Sequence, residues 1–256
     1  MRAFQYGKLF EPSNGLRIVE RKARRCLAYC RHKLGLRHVP LPVPIEEWIE
    51  TALDIRFGIE DLSHLGPDVL GAAFIRDREI VVSDRVSQND GRCRFTCAHE
   101  LGHFILHAKM REVFQDSQEP GLEMRRRVER HADRFAAAVL MPIPLFEREL
   151  VRMLEAAQVD PMSGLSELMM PTSESERLWF ALVVPELCHR FAVSRIAAVI
   201  RCRGLRLISD NRRALLPMRF FERFMETNGS SRPGARPAVP RSNAEDGTQG
   251  EPDQLR

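Results

Sequence analysis

The feature that most constrains this chain is the stretch Arg94 to His107, which reads RFTCAHELGHFILH. It contains His99 and His103, four positions apart. Residues at this spacing lie on one face of a helix, one turn apart, so their imidazoles can bind a single Zn²⁺. Glu100 lies between them and can act as general base toward a metal-activated water. The alternative interpretation is a core helix that happens to carry histidines. The rest of the chain must decide between a zinc-binding helix and a core helix.

A catalytic zinc takes three protein ligands, so a third must come from elsewhere in the fold. The helix predicted at 123–140 offers Glu129, His131 and Asp133. Glu129 and His131 point about 200° apart on a helix, so only one of them can face the metal. Neighbouring arginines place His131 toward solvent. Glu129 is therefore favoured as the third ligand, and His131 is the alternative. Asp133 either accepts a hydrogen bond from a ligating histidine or is an ordinary helix carboxylate.

A further histidine, His107, lies on the same helical face two turns beyond His99. It is predicted to be either a hydrogen-bond donor near the cleft or a packed histidine, and the packed role is favoured. The only tyrosines, Tyr6 and Tyr29, lie in the N-terminal segment. No second donor to a developing oxyanion is therefore assigned.

The length and the hydropathy pattern restrict where such a chain can act. The 256 residues fit one or two domains with a real core. No run of about 18 apolar residues occurs, so no membrane span is predicted. The N-terminus lacks the apolar stretch of a secretory signal. We expect a cytoplasmic protein.

Basic residues are concentrated near the N-terminus, although the net charge is only +4. Contact with nucleic acid or with an acidic partner is possible there. A solvated basic helix is the favoured interpretation. The residues of this basic cluster are Arg17, Arg21, Lys22, Arg24, Arg25, Arg31, Lys33 and Arg37.

The six cysteines form no Cys-x-x-Cys pair. In a cytoplasmic chain they are predicted to be reduced, partly buried thiols, with metal ligation as the less favoured alternative. Cys93 and Cys97 lie closest to the histidine motif. Cys97 precedes His99 by two residues, so on a helix it faces the other way, toward the core.

The periodicity of apolar residues predicts an α+β fold, in which a small twisted sheet packs beside the helix that carries the motif. Asn89–Gly91 is predicted to be a turn before that helix, and 158–177 a loop or insertion. Residues 185–204 are predicted to form two short helices, with Ser194 capping the second. A packing hairpin is favoured over a helix-turn-helix. Helices are predicted at 16–36, 45–53, 123–140 and 145–157, a strand at 55–57, a hairpin over 71–83 and a buried strand or helix at 178–184.

The chain resembles the ImmA/IrrE metallopeptidases over roughly residues 40–205. The resemblance rests on RFTCAHELGHFILH at 94–107 and VERHADRFAAAVLMP at 128–142. The hairpin at 71–83 and the segment FAVSRIAAVIR at 191–201 are also similar to the family's sequences. No counterpart is found for 1–37 or 228–256, and 145–180 is longer and more irregular than the family's pattern.

This resemblance implies that Glu129 is the third zinc ligand, beside His99 and His103, with Glu100 as the catalytic base. It implies a cytoplasmic zinc endopeptidase of the HExxH, gluzincin-like type. Several members cleave or inactivate a helix-turn-helix transcription repressor, which switches on stress-response or mobile-element genes. The implied partner is therefore such a repressor, and the implied fold is a zincin-like metallopeptidase core followed by a C-terminal helical segment.

The chain is accordingly divided into five predicted segments. They are a basic helical extension (1–37), a zincin-like core (38–150), a loop or insertion (151–177), a helical segment that could resemble a helix-turn-helix (178–227) and a disordered tail (228–256). Substrate backbone is predicted to add to an edge strand near Ile80–Ser83. The alternative function is a zinc-dependent regulator that binds a repressor or DNA without proteolysis. DNA binding ranks last, because the second helix of 185–204 offers few polar residues beyond Arg195, Arg201 and Arg203.

Overall fold

The structure, a computed structural model, describes residues 17–114 and 121–208, with side chains except at 109–114. The predicted tail at 228–256 lies outside these residues. The α+β class is confirmed. In chain order the elements are α1 (Arg17–Lys33), α2 (Ile45–Thr51), β1 (Arg56–Glu60), a 3₁₀ turn (Ser63–Leu65), β2 (Gly71–Phe74), β3 (Glu79–Ser83), α3 (Asp84–Ser87), α4 (Asp90–Phe114), α5 (Leu122–Leu140), α6 (Ile143–Ala156), α7 (Pro161–Met169), α8 (Ser173–Leu178), a π-helical turn (Trp179–Val183), α9 (Val184–Phe191) and α10 (Arg195–Gly204).

The three strands form a mixed sheet in the order β1-β3-β2. The predicted hairpin is confirmed, since β2 and β3 pair antiparallel with Ala73 opposite Ile80. β1 pairs parallel with the other side of β3, with Phe57 also opposite Ile80. The prediction that Ile80–Ser83 is an edge strand is therefore wrong. β3 is central and buried, and among the described strands the outer edges belong to β1 and β2.

Helix α4 begins at the position where a turn was predicted. The carbonyl of Asn89 accepts from the backbone N–H of Cys93, and its Oδ1 accepts from that of Arg92 at 3.0 Å. Asn89 thus caps the helix, a role in which asparagine is common. Gly91 is needed for packing here, because a Cβ would lie 2.9 Å from the backbone nitrogen of Ser194.

Helix α5 lies at the centre of the helical part and contacts α1, α4 and α10. Helix α1 buries its apolar stripe, including Val19, Ala23 and Leu27, and leaves most of the basic cluster exposed. The guanidinium of Arg201, which is 2% exposed, donates to the Glu20 carboxylate and to the carbonyl of Met141. One buried arginine therefore joins α10, α1 and the end of α5.

Most of the stretch 158–177 forms two helices, α7 and α8, so the predicted loop is wrong. Asp160 caps α7 by accepting from the backbone N–H of Ser163, with Pro161 in the first turn. Thr172 caps α8 in the same way through Ser175. Proline at the start of a helix and polar caps are start signals, although the same residue types are also common in loops.

The segment at 178–184 is helical, and the two helices predicted after it are confirmed. Ser194 caps α10 by accepting from the backbone N–H of Ala197 at 3.2 Å. Ala192 adopts a left-handed conformation that ends α9. Among the helices of 17–114 and 121–208, none combines the length and the apolar character needed to cross a membrane.

Candidate metal centre

The structure brings His99, His103 and Glu129 together between α4 and α5. The two Nε2 atoms lie 3.0 Å apart, and Glu129 Oε2 lies 3.2 Å from the first and 3.6 Å from the second. Two imidazoles and one carboxylate that meet at one point are the donor set of zinc peptidase sites, so these residues fit a metal. The side chain of Glu129 is 59% exposed, whereas the histidines are largely buried, so the centre opens to solvent on the side of α5.

A close approach of the two helices makes this meeting possible. Gly102, inside the motif, faces Ala132 of α5, where a Cβ would lie 3.1 Å from Cα and 3.2 Å from the carbonyl oxygen. Ala132 is only three residues beyond Glu129. A larger residue at 102 would therefore require the backbone of α5 to give way by a few tenths of an ångström. The glycine of the motif permits the close approach of the two helices that carry the candidate ligands.

Asp133 orients the first histidine. His99 Nδ1 lies 2.9 Å from Asp133 Oδ1, which leaves Nε2 directed at the centre. A carboxylate behind a ligating histidine fixes the tautomer and the ring orientation and raises the basicity of the ligand nitrogen. Of the two roles predicted for Asp133, the structure shows the hydrogen bond to a histidine.

His107 occupies the same position behind the second histidine. It is buried, and its Nδ1 lies 3.3 Å from Nδ1 of His103. Burial, followed by the charge of His103, lowers the pKa of His107 to about 4, so its ring is neutral at pH 7. With Nε2 of His103 directed at a metal, its Nδ1–H donates to His107. His107 is therefore buried, as its packed role predicts, and it also lies within hydrogen-bond distance of His103.

His131 lies outside the candidate ligand set, as the charge pattern predicted. Its ring stacks on His107 with centroids 6.1 Å apart. Burial and the nearby Arg127 and Arg134 lower its pKa. Within the described part of the chain, the group of possible ligands at this centre contains His99, His103 and Glu129 without His131.

Glu100 lies beside the centre, against the sheet. It is 8% exposed, and its Oε1 and Cγ lie where a Cβ on Gly71 would meet them, at 2.8 and 2.9 Å. Thr96 would meet the same Cβ at 2.7 Å. No local sequence pattern predicts this contact, because the start of β2 and the middle of α4 are brought together only by tertiary packing.

Replacing Asp133 with Asn keeps the shape of the side chain and removes its charge. We expect zinc affinity to fall by about 10- to 100-fold, because His99 loses the carboxylate that orients it. Competition with a metal-binding dye measures this affinity. Glu123→Asn, at the exposed start of α5, is the control and should bind as the wild type does. An unchanged affinity for Asp133→Asn would remove Asp133 from this role.

Metal binding should also release a proton. Burial opposes the charged form of His99, but its hydrogen bonds to Asp133 and Glu129 prevail and raise its pKa to about 10. The hydrogen bonds from His103 and His99 lower the pKa of Glu129, so this carboxylate is ionised before the metal binds. Below pH 10 a metal must displace the His99 proton, so affinity rises with pH. Calorimetry at pH 7 in buffers of different ionisation enthalpy should show about one proton released per ion; a buffer-independent enthalpy would contradict it.

A cavity of about 670 Å³ lies apart from this centre, between α1 and the start of α6. Four arginines of the basic cluster, Arg17, Arg21, Arg24 and Arg31, line it together with apolar residues such as Leu27 and Leu145. None of the three candidate metal ligands lines it. The chemistry of the histidine centre is thus separate from this basic, partly apolar cavity.

Comparison with known proteins gives one matching family and ten matching chains of solved structures. The family model described as IrrE N-terminal-like domain matches residues 55–203, more than half of the chain. No curated protein matches. The solved structures that match include a Mycobacterium tuberculosis transcriptional regulator, with 16% identity and a TM-score of 0.44. That match covers 72% of this chain and 46% of the regulator, so this chain spans less than half of the regulator's length.

Proposed function

Because the chain belongs to the ImmA/IrrE peptidase family, we propose that it is a zinc-dependent endopeptidase that hydrolyses a peptide bond in a protein substrate. One observation carries the proposal. A three-ligand centre with an open side lies next to a buried carboxylate that is not one of its ligands. A structural zinc site normally has four protein ligands and needs no such neighbour, whereas a catalytic site needs both an open position and a base.

His99, His103 and Glu129 would hold Zn²⁺, which supplies Lewis acidity and a water of lowered pKa. Glu100 acts as general base and takes the proton from the attacking water. It then delivers that proton to the leaving amine. Asp133 and His107 hold the imidazoles in the tautomers that present Nε2 to the centre.

The substrate is proposed to lie along β2. This strand pairs with β3 on one side only, and within the described residues no strand covers its other edge. The Glu100 side chain lies where a Cβ on Gly71, the first residue of β2, would be placed. An extended peptide added to this edge would therefore pass the general base, as peptides do at exposed sheet edges. This arrangement, a sheet edge beside the motif helix, supports a zincin-like core.

Adding one methyl group at Gly71 should impair catalysis. Gly71→Ala displaces the Glu100 carboxylate, and a misplacement of about 1 Å can cost about 10²-fold in rate. We expect kcat to fall by this factor while zinc stoichiometry stays unchanged. Gly58→Ala on β1 is the matched control, because a Cβ there has no neighbour closer than 3.8 Å. Equal activities of the two variants would contradict the role of the Gly71 contact.

The substrate is proposed to be a helix-turn-helix transcription repressor, whose loss derepresses stress-response or mobile-element genes in the cytoplasm. The family resemblance supports this. The direct test is incubation of the full chain and zinc with a small repressor encoded beside it, followed by electrophoresis. Discrete fragments that disappear with a chelator support the proposal. A repressor that stays intact but binds in a zinc-dependent manner would support the non-proteolytic regulator instead.

Direct DNA binding through α10 gains little support. Of the three arginines that α10 offers, Arg201 is buried in its bond to Glu20 and cannot reach a base edge. Arg195 donates to the carbonyl of Phe180. A DNA-binding mode that uses Arg195 or Arg201 would have to break these contacts, so protein recognition remains the favoured role.

A further inference from the structure

A second group of possible metal ligands lies on the opposite side of α4. Cys93 and Cys97 are one helical turn apart, and Glu46, in the first turn of α2, lies against them. One donor atom from each lies within 4.8 Å of the other two. Donors on one tetrahedral zinc lie about 3.5–4 Å apart. Small side-chain rotations are therefore enough to bring all three onto one ion.

We propose that Cys93, Cys97 and Glu46 form a second metal site, for a thiophilic divalent cation such as Zn²⁺. Thiolates select Zn²⁺ and similar ions over Mg²⁺ or Ca²⁺, and the carboxylate adds a ligand that zinc also accepts. The site is independent of the proposed peptidase activity, because none of its ligands belongs to the histidine centre.

The surroundings suit an ion that enters from one side. Cys97 is fully buried and Cys93 is 8% exposed, whereas the side chain of Glu46 is 28% exposed. Arg94 bonds to Oε2 of Glu46 at 3.4 Å and to the carbonyl of Val43. A carboxylate has two oxygens, so Oε1 can bind the ion while Oε2 keeps its bond to Arg94. Water from the Glu46 side completes the coordination.

The consequence concerns the motif helix. Glu46 belongs to α2, and the two cysteines belong to the first turns of α4, which later carries His99, Glu100 and His103. An ion held by all three joins the two helices and fixes the start of the catalytic helix. The sequence favoured inert thiols for these cysteines, because neither has a Cys-x-x-Cys partner and Glu46 is distant along the chain.

Cobalt distinguishes the two sites in the full-length reduced protein. Co²⁺ bound to thiolates gives a sulfur-to-metal charge-transfer band, and the histidine centre contains no sulfur ligand. We expect this band in the wild type, its retention in His99→Ala, and its loss in Cys93→Ser and Cys97→Ala. Zinc stoichiometry should fall by one ion in each cysteine variant. Glu46→Gln, at a partly exposed side chain, should weaken cobalt binding at least tenfold without disturbing the fold.

The chain offers a matched control pair. Cys26 and Cys30 are also one turn apart, buried and hydrogen-bonded to each other, on α1. In the described residues no third ligand completes them. The band should therefore survive the double change Cys26→Ser and Cys30→Ser. A reduced wild type without the band, or a band that depends on Cys26 and Cys30, would overturn the second site.

Discussion

Glu100→Gln should slow peptide hydrolysis by orders of magnitude while leaving the metal in place. The amide keeps the size of the side chain beside Gly71 but cannot accept the proton of the attacking water. Loss of a general base costs about 10²- to 10⁴-fold in rate, so kcat should fall within this range. The measurement pairs the rate of substrate cleavage with zinc stoichiometry of the same preparation.

A matched variant separates the base from a general effect of charge. Glu60→Gln changes an exposed carboxylate at the end of β1 and should leave the rate unchanged. Cleavage by Glu100→Gln at the wild-type rate, with the metal confirmed as bound, would show that another group accepts the proton. A parallel loss of zinc would instead place Glu100 among the ligands.

Glu129→Ala should remove the metal and, with it, all activity. Two histidines then remain, and the oxygen that lies within 3.6 Å of both Nε2 atoms is lost. A site that loses one of its three protein ligands should bind zinc at least about 10²-fold more weakly. Losing a residue that only hydrogen-bonds to a ligand costs about 10- to 100-fold in affinity, and the loss of a ligand itself should cost more. Dye competition and mass spectrometry of the native protein measure the affinity and the occupancy.

His131→Ala is the matched control, because it lies two residues away on the same helix but stacks on His107 outside the ligand set. It should retain near wild-type zinc affinity. If Glu129→Ala keeps tight binding while His131→Ala loses it, the third ligand is His131 and the assignment is wrong. Loss in both variants would point to a disturbance of α5 as a whole, which circular dichroism would detect.

The local parts of this structure could be predicted from the sequence. The spacing of His99 and His103, the hairpin and the Ser194 cap depend on residues close together along the chain. The pairing of β1 with β3 joins residues more than twenty positions apart, and it turned a predicted edge strand into the central one. The Gly71 contact and the place of Glu46 beside two cysteines arise in the same way. Such arrangements follow from tertiary packing, and no local sequence pattern predicts them.

The bond between Arg201 and Glu20 has a practical consequence for where the chain can be cut. The family match begins at residue 55, which would suggest expressing a fragment from there. Such a fragment would lack α1, leave a buried cation without its carboxylate and expose the apolar face of α5. Removing one partner of a buried ion pair costs about 3–5 kcal/mol, a large part of the stability of a typical domain. The smallest fragment that folds on its own should therefore begin no later than Arg17.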